Sequence, residues 1–335
     1  MKKVLFILIM MIVLISSCSR KIEDPCIYKD AVDSISLSTD KIVCFNTVDS
    51  YDINHKDKGI IKINARLYLP DEKRENYAAV ILTHGSGGIR KYHQKYVQLL
   101  TEIGYIVFQI DHYSARRIKY DKTFSKVSGV TFLNDAYAAL DVLKKHPKIN
   151  KVGYLGWSQG GVGPILTHFE FVNQLYSTDN RFDASIAIYP YCGFTFNSSY
   201  NTETPLLMIT GADDDLTPEA ACRNIYSKFF RDDGKINLIS IDNARHGFDN
   251  PFLLLGITFD NLPNLKIINN DCTLTISKIG EIVNLSGVVI NTPELSQYFL
   301  DKCSFKGVTV KYNHNARIIA LDKVEEFFNS HLNMK

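Results

Sequence analysis

The 335-residue sequence has no charge of one sign to spare: 38 Lys and Arg stand against 36 Asp and Glu. Lys2 and Lys3 make up the difference, so the chain beyond its first residues is neutral. A neutral chain offers no electrostatic footprint to a phosphate backbone, which argues against nucleic acid as a partner. The apolar run at residues 4–15 has only twelve members, short of the ~20 that a membrane-spanning helix needs. Internal repeats, heptads and low-complexity tracts are missing from the sequence, which removes solenoids, propellers and coiled coils. CxxC, HExxH and EF-hand patterns are also missing, so no metal or other cofactor is expected. What is there is ordinary globular usage, 45% hydrophobic and 22% charged, which excludes a mainly disordered or collagen-like chain.

The first residues read as a targeting signal. Lys2-Lys3 precede the apolar run, and the run ends in Ile15-Ser16-Ser17-Cys18. This ending resembles the bacterial lipobox, in which an aliphatic residue and two small ones precede a cysteine that is lipidated and becomes the new N-terminus. The expectation is a signal peptide at 1–17, a lipid anchor on Cys18 and a place in the bacterial cell envelope. An ordinary secretory signal is the alternative, and it too puts the chain outside the cytoplasm. Residues 18–58 are polar with weak periodicity and read as a tether and N-terminal extension carrying an edge strand or two.

Setting Cys18 aside leaves six of the seven cysteines, and an oxidising compartment favours disulfides over free buried thiols. Six cysteines allow about fifteen pairings. Sequence neighbourhood suggests Cys26 with Cys44 and Cys272 with Cys303, which leaves Cys192 and Cys222 for each other.

Over 59–335, short apolar runs alternate with helical stretches. Strands are expected at 60–69, 78–83, 105–110, 151–156, 184–189, 206–210 and 236–241, with helices at 92–103, 131–146, 160–169, 218–230 and 316–332. This alternation predicts an α/β fold, a mostly parallel doubly wound sheet flanked by helices. Irregular spacing fits a closed barrel of eight equal units badly. Residues 252–315 break the rhythm, with strand-like pieces at 273–277 and 282–290 and no obvious long helix. They read as a C-terminal insertion stapled by its own disulfide and covering one edge of the sheet.

The chemistry centres on Gly156-Trp157-Ser158-Gln159-Gly160, a GxSxG directly after an apolar strand and before a helical run. A serine on so tight a turn adopts strained backbone angles, and flanking glycines leave room for it. A nucleophilic serine needs a base after the last core strand, where Ala244-Arg245-His246-Gly247-Phe248-Asp249 supplies His246. His314 and His331 read as surface residues, and His84, at a strand end, as a loop support. The acid that orients the imidazole is one of Asp213, Asp214 and Asp215, the other two being solvated turn residues. The helix that follows is expected to be N-capped by Thr217, with Pro218 at its first position. The glycine-rich turn His84-Gly85-Ser86-Gly87-Gly88 can offer a backbone N–H to an oxyanion. Ser86 is favoured over Gly87 for this, beside the N–H of Gln159. The turn lacks the lysine of a phosphate loop. Arg116-Arg117 reads as a solvated turn or as an anchor for an anionic substrate group.

With these pieces in this order, the chain resembles the dienelactone hydrolase family of α/β-hydrolases. The resemblance rests on residues 84–88, 111–116, 135–140, 156–161, Tyr189-Pro190-Tyr191-Cys192, 211–218 and His246-Gly247-Phe248, in the family's order across about 60–250. It implies that Asp214 takes the acid position, framed by Gly211 and Pro218, and that Cys192 lies near Cys222. The family's namesake enzymes attack with cysteine, whereas this chain has Ser158. That departure moves the expectation from lactones to carboxylic esters cleaved through an acyl-enzyme, with a small-molecule ester as the partner. Two other readings are a serine peptidase resembling the prolyl oligopeptidase catalytic domain and an inactive surface-binding lipoprotein. The sixty or so residues before the hydrolase region leave no room for the propeller such a peptidase normally carries.

Overall fold

The computed structural model describes residues 23–38, 41–54 and 58–333. Cys18 and the expected signal peptide lie outside the described residues.

Eight strands form one sheet: β1 (Ile42–Val48), β2 (Ile60–Tyr68), β3 (Tyr77–Thr83), β4 (Ile106–Asp111), β5 (Ile149–Trp157), β6 (Ala184–Ile188), β7 (Leu206–Gly211) and β8 (Ile236–Ile241). Their spatial order is β1-β2-β4-β3-β5-β6-β7-β8. β1 and β2 run antiparallel at one edge, and every pairing from β4 to β8 is parallel. The composition explains this. Every residue of β6 and β7 is buried, as expected of parallel strands covered by helices on both faces.

The helices are α1 (His93–Glu102), α2 (Gly129–Lys144), α3 (Val162–Leu166), the single turn α4 (Glu170–Asn173), α5 (Glu219–Phe229), α6 (Pro293–Cys303) and α7 (His314–Leu332). Two apolar layers result. On one face α1 and α7 pack Tyr96, Leu100, Val324 and Phe328 against Val80, Leu155 and Ile186. On the other, α2, α3 and α5 pack Leu140, Ile165 and Ile225 against Ile81, Tyr154 and Met208. Ser128 starts α2 with a capping box, its hydroxyl accepting from Thr131 N while Thr131 accepts from Ser128 N. The contact of α7 with β5 depends on a glycine: a Cβ on Gly153 would lie 2.7 Å from Leu332 Cδ1 and 2.8 Å from Phe328 Cε1. Lys151 Nζ donates to His331 O across the same contact at 2.8 Å.

The insertion differs from its expected form in two ways. It contains a helix of 11 residues, α6, capped by Thr292 with Pro293 in the first turn. It also lies over the C-terminal ends of the strands rather than along one edge of the sheet. Leu265 N donates to Leu216 O, and Leu274 is hydrogen-bonded to Gly193 and Thr195. The remaining strands belong to it: β9 (Ile257–Asn264) pairs with β12 (Phe305–Val310), and β10 (Leu274–Ile276) with β11 (Ile282–Asn284).

The cysteines are joined as Cys26–Cys44, Cys192–Cys222 and Cys272–Cys303. Cys192–Cys222, with a sequence separation of 30, bridges the loop after β6 to α5. By the chain-entropy argument it contributes about 3 to 4 kcal/mol. The double Ser replacement is expected to lower the urea midpoint accordingly; an unchanged midpoint would refute this.

Among the described residues, four histidines other than His246 are buried: His84, His93, His112 and His168. Burial holds each imidazole below its ordinary range, His168 at about 4. As pH falls below ~6.5 the unfolded chain binds protons that the folded chain refuses, so stability is fully present above that pH. Below it, each histidine removes about 1.4 kcal/mol per pH unit until its folded-state value is reached. The melting temperature is therefore expected to be flat from pH 7 to 9 and to fall steeply between about pH 6 and 4. Equal melting temperatures at pH 7.5 and pH 5 would contradict this.

Candidate active site

β5 ends at Trp157, and Ser158 follows at φ +54°, opening the 3-10 turn Ser158–Gly161. Serine is held there in the left-handed region because the turn is packed from below. A Cβ on Gly160 would sit 2.3 Å from His84 O, and one on Gly85 would sit 3.1 Å from Ser158 Cβ. The glycine-rich turn after β3 therefore abuts the serine, with Ser86 next in line. Gln159, just after the serine, is fixed through its side chain, donating to Val127 O at 2.7 Å. Its backbone N–H belongs to the first turn of a helix, where amides have no intrahelical partner.

His246 lies in the loop after β8. Its Nε2 is 3.0 Å from Ser158 Oγ and its Nδ1 is 2.8 Å from Asp214 Oδ2. All three side chains are buried. Asp214 is held by the loop that follows β7, its Oδ1 accepting from Leu216 N and Thr217 N, both at 2.9 Å. The carboxylate thus has one oxygen committed to backbone amides and the other facing the imidazole.

The other two aspartates separate by role. Asp213 is exposed. Asp215 is not a solvated turn residue: it accepts from Thr309 N of β12 at 2.9 Å and pairs with Arg245 at 3.0 Å, tying the insertion to the acid loop. Thr217 is not the N-cap of α5, which is Pro218. Its hydroxyl lies 3.0 Å from both Asp214 Oδ2 and His246 Nδ1 and 3.1 Å from Tyr189 O. Arg116 is neither a solvated turn nor an open anion site. It is buried, paired with Asp135 at 2.8 and 3.0 Å and with Asp49 at 2.9 Å. His84 Nδ1 lies 2.7 Å from Gly85 O and its ring packs edge-on against Tyr113. His314 lies 3.1 Å from the Tyr312 hydroxyl, and the His331 ring packs on Phe327.

One supporting residue carries no motif of its own. Asp249 is buried and accepts from Tyr96 Oη at 2.9 Å, Trp157 Nε1 at 3.0 Å and Tyr189 Oη at 2.7 Å. Burial pushes its carboxyl above the ordinary carboxylate range against those three bonds. It joins the His246 loop to the residue before Ser158 and to Tyr189, whose ring centre is 4.6 Å from that of His246. Its sequence signal is slight: an aspartate three residues after the histidine.

Ser158 opens into a cavity with a mostly apolar lining. Tyr51 from the N-terminal extension lines it together with Leu265, Leu274, Ile282, Ile290 and Phe299 from the insertion.

A mostly parallel sheet with helices on both faces, and Ser158, Asp214 and His246 in that chain order at the C-terminal ends of its strands, defines the α/β-hydrolase fold. A model of the Dienelactone hydrolase family matches residues 63–252, and the chain belongs to that family. Among solved structures it is similar to Est1E from Butyrivibrio proteoclasticus, at 17% identity over 60% of this chain and 90% of that one, with a TM-score of 0.42. It is also similar to a dienelactone hydrolase-like promiscuous phosphotriesterase from metagenomic libraries, at 16% identity over 64% and 87%, with a TM-score of 0.45. Thermogutta terrifontis esterase 2 matches at 16% identity over 60% and 84%, with a TM-score of 0.44. No curated protein matches the chain.

Proposed function

We propose that this chain is a serine hydrolase that cleaves carboxylic esters through an acyl-enzyme. The observation that carries the reading is His246, whose two ring nitrogens reach Ser158 Oγ at 3.0 Å and Asp214 Oδ2 at 2.8 Å. Ser158 Oγ attacks the ester carbonyl while His246 Nε2 takes its proton, and Asp214 holds the Nδ1–H tautomer and stabilises the imidazolium. The carbonyl oxygen, now an oxyanion, accepts from the backbone N–H groups of Ser86 and Gln159. The intermediate collapses, His246 returns the proton to the leaving alcohol, and a water activated by the same nitrogen then releases the acid. An alkyl fluorophosphonate is expected to add to one residue, with the mass recovered on the Ser158 peptide. It is also expected to abolish 4-nitrophenyl acetate hydrolysis in step. A chain that hydrolyses the ester without labelling at Ser158 would overturn the assignment.

We also propose that the protein is a lipid-anchored resident of the bacterial cell envelope, with residues 1–17 removed and Cys18 acylated. The support is the sequence Ile15-Ser16-Ser17-Cys18 after the apolar run. Cys18→Ala is expected to move the protein from the detergent phase to the aqueous phase on phase separation; detergent partition unaltered by the substitution would refute the anchor.

A further inference from the structure

The reacting groups come from one part of the chain, whereas the cavity walls draw on that part and on segments beyond it. Ser158, Asp214 and His246 fall inside the family match of 63–252, whereas Tyr51, Leu265, Leu274, Ile282, Ile290 and Phe299 fall outside it. What the cavity admits is therefore set in part by segments the family match does not cover, together with residues inside it such as Phe124, Val162 and Phe194.

The outer walls are fastened on several sides. Ile53 N, two residues beyond Tyr51, donates to Gly280 O at 2.9 Å. Leu274 is bonded through N to Gly193 O at 2.8 Å and through O to Thr195 N at 2.7 Å. Leu265 N reaches Leu216 O at 2.8 Å in the loop that holds Asp214. Ser125 Oγ donates to Gln297 Oε1 of α6 at 3.2 Å, and Cys272–Cys303 closes the insertion on itself. A cavity held in this way exists before substrate arrives, and its shape and polarity decide what enters at little reorganisation cost.

The polarity is one-sided. Among the described residues, none of the eighteen that line the cavity has a charged side chain. Several of the polar groups there are already engaged within the protein. The Ser128 hydroxyl is bonded to Tyr51 O and to Thr131, the Tyr51 hydroxyl donates to Ser125 O at 3.1 Å, and the Gln159 amide donates to Val127 O. The charges that act on Tyr51 are carboxylates. Burial first, then Asp121 and Glu294, hold its phenol above the ordinary range against a hydrogen bond from Ser296. An anionic group entering here would lose its hydration, find no cation on the wall, and feel those two carboxylates.

We infer that the cavity takes an uncharged apolar group of the ester, alkyl or aryl, and excludes a carboxylate-bearing one. This rests on the serine hydrolase reading given above. It extends that reading from a reaction to a substrate class, with Leu265, Ile290 and Phe299 as specificity-determining residues.

The test compares 4-nitrophenyl hexanoate with the mono-4-nitrophenyl ester of adipic acid, which has the same chain length and a terminal carboxylate, with fluorophosphonate labelling run on the same samples. The expected kcat/KM ratio favours the hexanoate by about a hundredfold or more, because an unpaired charge is expensive to bury. Leu265 is half-buried, so Leu265→Lys can fold with its ammonium at the cavity, and it is expected to narrow the ratio about fivefold while labelling persists. Comparable turnover of the two esters, or turnover of neither, by a chain that still reacts at Ser158 overturns the cavity assignment and leaves the serine hydrolase standing. A ratio unmoved in a labelled Leu265→Lys chain overturns Leu265 as part of the wall. No reaction at Ser158 at all overturns both readings.

Discussion

Ser158→Ala is expected to lower kcat for any ester substrate by roughly 10⁵- to 10⁶-fold while leaving the melting temperature almost unchanged. The size follows from the way the groups act as a unit. Without Oγ, the imidazole 3.0 Å away has no proton to take and the acyl group has no atom to settle on. The proposed oxyanion donors and the cavity remain, so a residual rate of ~10³ to 10⁴ over water is expected to survive. Little stability is lost, because the deleted atom sits at an already strained backbone position, φ +54°, and alanine carries the same Cβ into the same turn. Steady-state kinetics and a thermal melt check the two halves separately. More than a few per cent of wild-type turnover would remove Ser158 from the reaction.

Asp214→Asn is expected to cost about 10⁴-fold in kcat, and the geometry says why an isosteric change does so much. Asp214 Oδ1 is committed to two backbone donors, Leu216 N and Thr217 N. In the variant the amide oxygen must keep that place, which turns the NH₂ toward His246 Nδ1. Nδ1 then has to accept, the ring proton moves to Nε2, and the imidazole presents a proton to Ser158 where it should present a lone pair. Asp213→Asn is expected to leave kcat within about twofold, because its side chain is exposed. Asp215→Asn weakens the hold on β12 and Arg245, so its effect is expected in stability first. Kinetics and melts of the three variants together check the order; a larger kcat loss at Asp213 or Asp215 than at Asp214 would reverse the assignment.

The sheet was legible because parallel strands buried on both faces must be continuous apolar runs, and residues 78–83, 184–188 and 206–210 are that and little else. The GxSxG turn was legible because its glycines answer a local steric demand, visible here in the 2.1 Å that a Gly156 Cβ would leave to Gly160 O. What stayed hidden depends on contacts remote in sequence. Thr217 has a cap-like setting, Thr-Pro, yet its hydroxyl is drawn to Tyr189 and Asp214 by the packing of the next strand end. Arg116 gives no local sign that Asp49 and Asp135 will enclose it, 67 and 19 residues away. Asp249 needs three partners from α1, β5 and the end of β6 before it has a role. Helix α6 was a different case, since Thr292, Pro293 and Glu294 form a start signal within the sequence itself.

The close seat of α7 against β5 bears on when the protein can act. A ribosome delivers all eight strands of the large sheet, and with them Ser158, Asp214 and His246, well before the 19 residues of the final helix. Until Phe328 and Leu332 come down on the bare backbone at Gly153, the strand that ends in the serine turn is covered on that face by α1 alone, around Trp157. At ~5–20 residues per second, that interval lasts a second or more for every chain made. A chain stopped short of its last two turns would carry Ser158, Asp214 and His246 yet leave β5 without Phe328 and Leu332 at Gly153.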